Sequence, residues 1–400
     1  MSTETKEIIL NATAQRMANA LGFIAEAQAG NIEQIEDWYT IKSLVDHSLA
    51  KSVLPVGYQI EDVWHALSND NGYVAPWDVV HHYNNGDMAL NWHYALKDSI
   101  AFDAPEAIFY APAGGVVAGQ YYITIGLNYG NGWVAGHHIN VTFPNALDAG
   151  DQLVLSTGTD SSKNPTNVTW NVYAKGSTVS KMSGVTTDSS EGTELGSTST
   201  SGTGYTNGNI NAPQRVVYGY GRWSQSAIRQ YLNSDAAINA WWTPQNGWDR
   251  PPAQLSTVRG WMAGISPDLR AILRKTTVTT AINTVEGAAS NTETTADYFF
   301  LPSLTEWYIN PQYAEGEAWD YYKTLAVESG LSGKFAQGST YPILKKYRVD
   351  STSTSAYVWL RSAYRGSANY AWCVYSSGNV YGNCACNSCC GAPACIIAKS

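Results

Sequence analysis

With a net charge of −9, no basic run and only 14% charged residues among 400, the chain has no obvious groove for nucleic acid. Its length exceeds one ordinary core and predicts two or three domains. The 26 Tyr and 15 Trp fit β-rich cores and contact surfaces better than a helical enzyme.

The N-terminus, Met1-Ser-Thr-Glu-Thr-Lys-Glu7, lacks a charged-then-apolar leader, and no apolar run approaches the ~18 residues of a membrane span. The expectation is synthesis in a cytoplasm without membrane insertion. Residues 4–29 read as a helix in which Leu10, Ala14, Met17, Leu21 and Ile24 recur at alternating steps of four and three. That pattern suits a short coiled-coil seam and equally one amphipathic helix on a core. Gly30 ends it, and Asn31 with Gln34 starts a second helix whose apolar face is Ile35, Trp38, Ile41, Val45 and Leu49. Residues 1–56 are therefore expected to form a helical hairpin for oligomerisation or docking.

From about Tyr58 short β-type runs alternate with Gly, Asn and Pro turns, among them 107–111, 120–125, 138–143, 152–155 and 168–173. This predicts an antiparallel sandwich or jelly-roll over 57–175. All 7 histidines fall by residue 138, including the pairs His81-His82 and His137-His138. Neighbours on a strand point to opposite faces, so neither pair converges on one ion by itself, and a structural role is expected. Residues 176–212 are Ser/Thr/Gly-rich and read as a linker or a long polar hairpin marking a domain boundary.

The C-terminal domain is expected over 213–400. Ser224 to Asn233 and Pro267 to Arg274 read as helices, and Thr276 to Thr280 as a β-branched strand. Ser303 with Glu306 has the form of a capping box and predicts a third helix. Short strands follow at 357–361, 371–375 and 395–397. The fold class is α+β.

The last forty residues are unusual. All 6 cysteines lie between Cys373 and Cys395, and no Asp, Glu, Lys or Arg occurs from Gly366 to Ala398. Tyr, Ser, Asn and Gly dominate, the residue types of antibody-like binding loops. An Asn codon mutated only at its adenines can become Tyr, Ser, Cys, Gly, Ala, Arg or Asp, but never Trp, Lys, Glu, Gln or Met. Ser367, Asn369, Tyr370, Cys373, Tyr375, Tyr381, Gly382, Asn383, Cys384, Cys386, Asn387, Cys389 and Cys390 all hold residues from that set. They are interleaved with scaffold-like positions: Ala371, Trp372, Val374, Gly378, Val380, Ala385 and Pro393.

Here the sequence resembles the variable proteins of diversity-generating retroelements in phages and prophages. The matching stretches are Trp359-Leu-Arg-Ser362, Ala371-Trp372, Ser376-Ser-Gly-Asn-Val380 and Gly391-Ala-Pro-Ala394. Upstream, Gly219 to Asn233, Trp241-Trp-Thr-Pro-Gln245 and Phe300-Leu-Pro-Ser-Leu-Thr-Glu306 look like the same family's C-type-lectin-like domain. The resemblance implies a hypervariable ligand-binding face, made of the thirteen positions above, that binds a protein or glycan receptor on a bacterial surface. Trp359, Leu360, Arg361 and Trp372 would be its buried scaffold. It further implies pairing of the domain's first and last strands, a virion location in a tail or host-attachment apparatus, and a homo-oligomer, a trimer by analogy.

No catalytic set stands out. The absence of histidine after His138 removes the usual general base from the C-terminal domain, and phosphate-loop and dinucleotide fingerprints are missing. Asp268, Asp297, Glu306 and Asp320 lack the spacing of a dedicated calcium loop. Cys384-Ala-Cys386 with Cys389-Cys390 invites comparison with the cysteine pair of formylglycine-generating oxidases, which share the lectin-like fold. Adjacent thiols rarely close one tetrahedron, so no metal, no cofactor and no enzymatic activity are expected. A formylglycine-generating-type oxidase and an invariant structural virion protein are the alternative readings.

Overall fold

Asp37 begins the described chain by capping a helix. Its carboxylate accepts from the amides of Tyr39 and Thr40 at 3.3 and 3.0 Å and opens α1 (Trp38–Asp46). Trp38, Ile41, Leu44 and Val45 form the buried face of that helix, and α2 (Ala50–Val53) follows. The computed structural model describes residues 37–64, 73–104, 108–110, 115, 117–129, 132–155, 169–174, 180–194, 219–245, 251–282, 292–364 and 370–400. The 4–29 seam and the Asn31/Gln34 helix start lie outside them.

The frame is built from small antiparallel sheets. β1 (Trp77–His82) and β2 (Met88–Trp92) form a hairpin, and β3 (Ile100–Ala101) follows. After a long excursion come α3 (Ala227–Leu232), α4 (Pro267–Ile272), β4 (Thr276–Ala281), β5 (Thr292–Asp297) and α5 (Asp320–Glu328). The chain ends with β6 (Val358–Ala363), β7 (Tyr370–Val374), β8 (Val380–Cys384), β9 (Ser388–Cys389) and β10 (Ala394–Ile397). One sheet runs Gln59–Ile60, β1, β2, β10; a second is β6, β7, β8; β4 pairs with β5, and β9 with β3.

The pairing of β10 with β2 corrects the expected domain boundaries. Ala394 to Ile397 sit opposite Asn91 to Met88, and the Asn91 side-chain amide donates to the carbonyls of Ala392 and Pro393 at 2.8 and 3.0 Å. Trp77 and Trp92 pack edge-on against Trp261, whose ring centroid lies 6.2 and 5.8 Å away, and Trp261 meets Phe299 at 4.7 Å. The cluster of buried apolar residues is continuous from Trp38 to Ile397. Residues 37–104 therefore share the core of the C-terminal strands. They are neither a separate helical segment over 1–56 nor half of a sandwich over 57–175. The expected pairing of the 213–400 domain's own first and last strands is not met, because β10 takes β2, far upstream of residue 213, as its neighbour.

Between 108 and 194 the chain forms one six-stranded antiparallel sheet. Its order is Ile108–Tyr110, Gln152–Leu155, Thr169–Tyr173, Ser180–Glu194, Gly132–Phe143, Gly119–Tyr129. The Ser/Thr-rich stretch assigned to a linker thus supplies a central strand, since Thr187 to Glu194 pair with Val141 to His137. Among the described residues no second sheet covers this one, so the sandwich expectation is not met.

The capping box at Ser303 forms, but no helix follows. The Ser303 amide donates to Glu306 Oε2 at 2.9 Å, and the Glu306 amide donates to Ser303 Oγ at 3.1 Å. Tyr308 then adopts φ 54, and the Ile309 amide bonds back to the Leu304 carbonyl at 2.8 Å, ending the segment after one turn. No helix among the described residues is long and apolar enough to cross a membrane.

Candidate functional site

β6 is wholly buried and carries the Trp359-Leu-Arg-Ser362 motif. Trp359, Leu360 and Arg361 are each 0% exposed, and Trp372 on neighbouring β7 is 3% exposed. Trp359 donates from Nε1 to the Ile100 carbonyl at 3.1 Å, which fixes it against β3. Arg361 is the hub of the interior. Its guanidinium grips Glu306 through both Nη atoms, and it also donates to the carbonyls of Leu301 at 2.7 Å and Thr279 at 3.1 Å. Such a fork-to-fork pair satisfies donors and acceptors that would otherwise be stranded.

A second carboxylate, Glu315, joins this interior network. It accepts from the Ala281 amide at 2.8 Å and from Ser362 Oγ. Burial pushes its carboxyl up to about 7, against the opposing pull of Arg361. Arg361 and its carboxylates thus pin β6 to the 301–315 segment and to β4. They are structural, as expected for Arg361.

β7 and β8 form a hairpin over this base. The turn closes at Gly378 (φ 87), where a Cβ would stand 2.2 Å from the Tyr341 carbonyl oxygen. The ladder sets Tyr370 opposite Cys384, Ala371 opposite Asn383, Trp372 opposite Gly382, Cys373 opposite Tyr381 and Val374 opposite Val380. Alternation then separates two faces. On one, Trp372 stacks on Tyr364 at 4.9 Å, and Tyr364 meets Tyr370 at 5.8 Å. Tyr370 stands opposite Cys384, and burial, then Cys384, raise the tyrosine above its usual range.

On the other face Tyr381 is 49% exposed. Asn383 reaches across to Cys389 Sγ at 3.4 Å and accepts from Asn387 at 2.7 Å. The segment after β8 therefore folds over this face of the ladder. Beside it Tyr375 lies 4.8 Å from Tyr357, itself 43% exposed, and donates to the Gly382 carbonyl at 3.0 Å.

The thirteen expected contact positions divide. Tyr381 and Asn387 are exposed; Tyr370, Tyr375, Asn383, Cys384 and Cys386 are half-buried. Ser367 and Asn369 lie outside the described residues. Cys373, Cys389 and Cys390 are buried, at 0%, 3% and 3% exposed, which corrects the expectation that all thirteen share one exposed face. The reason is the fold-over after β8. Cys373 lies close to Cys389 with its thiol donating to the Val374 carbonyl at 3.6 Å, while Cys390 is drawn against Ser99 at 3.4 Å by the pairing of its amide with the Tyr357 carbonyl. Gly382 is also less free than expected, because a Cβ there would lie 2.6 Å from the Tyr364 ring. Tyr357, which the sequence does not single out, stands just before β6 at the edge of this patch, outside the thirteen positions.

All 6 cysteines are free thiols. Burial raises Cys373, Cys384, Cys390 and Cys395, and pushes Cys386 up to about 12. Reactive or metal-binding cysteines need the opposite shift, toward thiolate. Among the described residues no group of three or more His, Cys, Asp or Glu is arranged to hold a metal. The strand pair His81-His82 splits as expected. His81 turns to Asp320 and Glu317 at 3.1 and 3.4 Å, while His82 bonds the Leu54 carbonyl at 2.8 Å.

No curated protein and no solved structure matches the chain. Its C-terminal half, residues 203–399, matches the family model described as Domain of unknown function (DUF6273), and the last strand of that match is paired here with β2, which lies outside it.

Proposed function

We propose that this chain is a diversified ligand-binding protein of a phage or prophage, a retroelement variable protein whose C-type-lectin-like domain presents a hypervariable face to a bacterial-surface receptor. The observation that carries the reading is the union of an immobile base with an uncharged, aromatic and amide-rich surface. Trp359 and Trp372 are buried and Arg361 is buried and multiply bonded, whereas Tyr381, Tyr375, Tyr357, Asn383 and Asn387 lie together above them. Rigid tyrosines lose little entropy on contact, and small amides adapt to many partners. The working contact set on that face is Tyr375, Tyr381, Asn383, Cys386 and Asn387, extended by Tyr357; Tyr370 and Cys384 stand on the opposite face of the ladder.

The receptor is a protein or glycan on a bacterial cell, and the chain acts without cofactor or catalysis from a virion, as a homo-oligomer assembled through the Leu10–Ile24 seam. The oxidase alternative is disfavoured by thiols that burial holds protonated. The structural-protein alternative would use the same tyrosines as a subunit contact. A cell-binding assay separates these: labelled protein should bind bacteria of one strain set, and the triple variant Tyr357→Ala, Tyr375→Ala, Tyr381→Ala should lose at least about tenfold while keeping its oligomeric state. Loss of oligomerisation in that variant would instead favour the structural reading.

A further inference from the structure

Two clefts flank the tip of the β1–β2 hairpin, and their charge differs. One, of about 420 Å³, carries Asp87, Glu306 and Glu317. The other, of about 260 Å³, is bounded by Ser48, Lys51, His82, Asn84, Asn85 and Lys399, and no carboxylate lines it. In a chain with a net charge of −9, two lysines lining a single cleft that no acid lines run against the prevailing charge. The acids of the same loops are hydrogen-bonded from behind this wall rather than lining it. Asp46 holds Lys42 and the Ser400 amide, and Asp87 holds Asn85 and the Lys399 amide.

The cleft is also held in shape. The Lys399 amide donates to Asp87 Oδ1 at 2.7 Å, and its Nζ donates to Ser48 Oγ at 2.7 Å, so the lysine is aimed rather than free. Ser48 adopts φ 59, a left-handed conformation uncommon for a residue with a Cβ. Burial, then the neighbouring His81 and Lys51, depress the His82 imidazole, so Lys51 stands near it. The His82 Nε2 bonds the Leu54 carbonyl at 2.8 Å and so carries the proton, leaving the other ring nitrogen as an acceptor that suits a hydroxyl. Lysine binds oxyanions as a point charge, while the side-chain amide of Asn84 can both donate and accept; that of Asn85 is held by Asp87.

The geometry points to this cleft as a binding site for a small hydroxylated oxyanion, of the phosphorylated or carboxylated sugar type, held between Lys51 and Lys399. None of its residues belongs to the β7–β9 face, so the site stands independently of the proposed receptor surface.

Glucose 6-phosphate, glucuronate, inorganic phosphate and glucose serve as probes for calorimetric or ligand-observed NMR titration of the full chain. Binding of either sugar anion at least about tenfold tighter than glucose is expected, and the stronger arm tells phosphate from carboxylate. That affinity should fall as salt rises from about 50 to about 300 mM. It should drop at least about tenfold in Lys51→Gln and again in Lys51→Gln with Lys399→Ala, with melting temperatures held near that of the parent. Lys51 is exposed, so the single variant tests the site even if the double variant loses structure. Equal binding of glucose, no binding of any probe up to about 10 mM, or undiminished binding in Lys51→Gln would overturn the assignment.

Discussion

The amide of Tyr220 donates to Asp103 Oδ2 at 3.2 Å, although 117 residues separate the two in sequence. The chain leaves the frame just after β3 and returns at the same point, so the six-stranded sheet of 108–194 is an insertion with adjoining ends. Closing a long loop costs entropy that grows only slowly with length, which is why such an excursion is tolerated. Replacing residues 105–217 by a short Gly-Ser linker should therefore leave a protein that melts cooperatively, at a temperature no lower than the parent. By contrast, the fragment 203–400 should fail to melt cooperatively, because β10 loses β2 and the core loses Trp77 and Trp92. Calorimetry of both fragments reads this directly; a cooperative 203–400 fragment would contradict the shared core.

Scaffold and surface should differ sharply in mutational cost. Trp372, 3% exposed and stacked on Tyr364, should cost roughly 3–5 kcal/mol when replaced by Ala. Tyr381, 49% exposed, should cost within about 0.5 kcal/mol for the same change. Urea unfolding of the two variants provides the comparison, and equal costs would mean that Tyr381 belongs to the packing.

Glu315 should give the protein a pH-dependent stability. Its carboxyl is raised from 4.5 to about 7 in the fold, so folding favours the protonated form. That contribution is complete below about pH 4.5 and is lost as pH rises through about 7, with a span of up to about 3 kcal/mol. Glu315→Gln should flatten this window in denaturant titrations run from about pH 4.5 to 8. If the parent curve and the Gln curve have the same slope there, Glu315 is ionised in the native state. Arg361→Met should cost roughly 3–5 kcal/mol, since it strands the Glu306 carboxylate in the interior.

The thiols should be inert. Cys373, Cys389, Cys390 and Cys395 are buried, so a thiol reagent at about pH 8 should label the native protein slowly, and first at half-buried Cys384 and Cys386. Ser at 384 and 386 together should change neither folding nor metal content. Rapid labelling of Cys373, read by peptide mass mapping, would show that the cover formed after β8 opens in solution.

Local signals were legible where structure is local. Ser226 and Ser266 cap α3 and α4 near the expected starts, β4 occupies the β-branched run, and Trp359-Leu-Arg-Ser362 is the buried strand β6. The pairing of β2 with β10 was not legible, because nothing local in Met88–Trp92 announces a partner about three hundred residues away. α5 escaped notice because only Tyr322 and Ala326 of it are buried, too few to impress a period on Asp320–Glu328. The burial of Cys373 and Cys389 depends on the Asn383–Cys389 contact across the fold-over, which strand alternation alone does not encode.

The central claim, that an exposed part of 364–390 is a diversified contact face, is tested most directly by sequencing sister copies of the coding region from related phages and prophages. The account predicts substitutions confined to that window and to adenines of Asn-type codons. They should concentrate at Tyr375, Tyr381, Asn383, Cys386 and Asn387, with Trp359, Leu360, Arg361, Gly382 and Trp372 unchanged. Uniform identity across 364–390, or variation spread evenly through the chain, would contradict it.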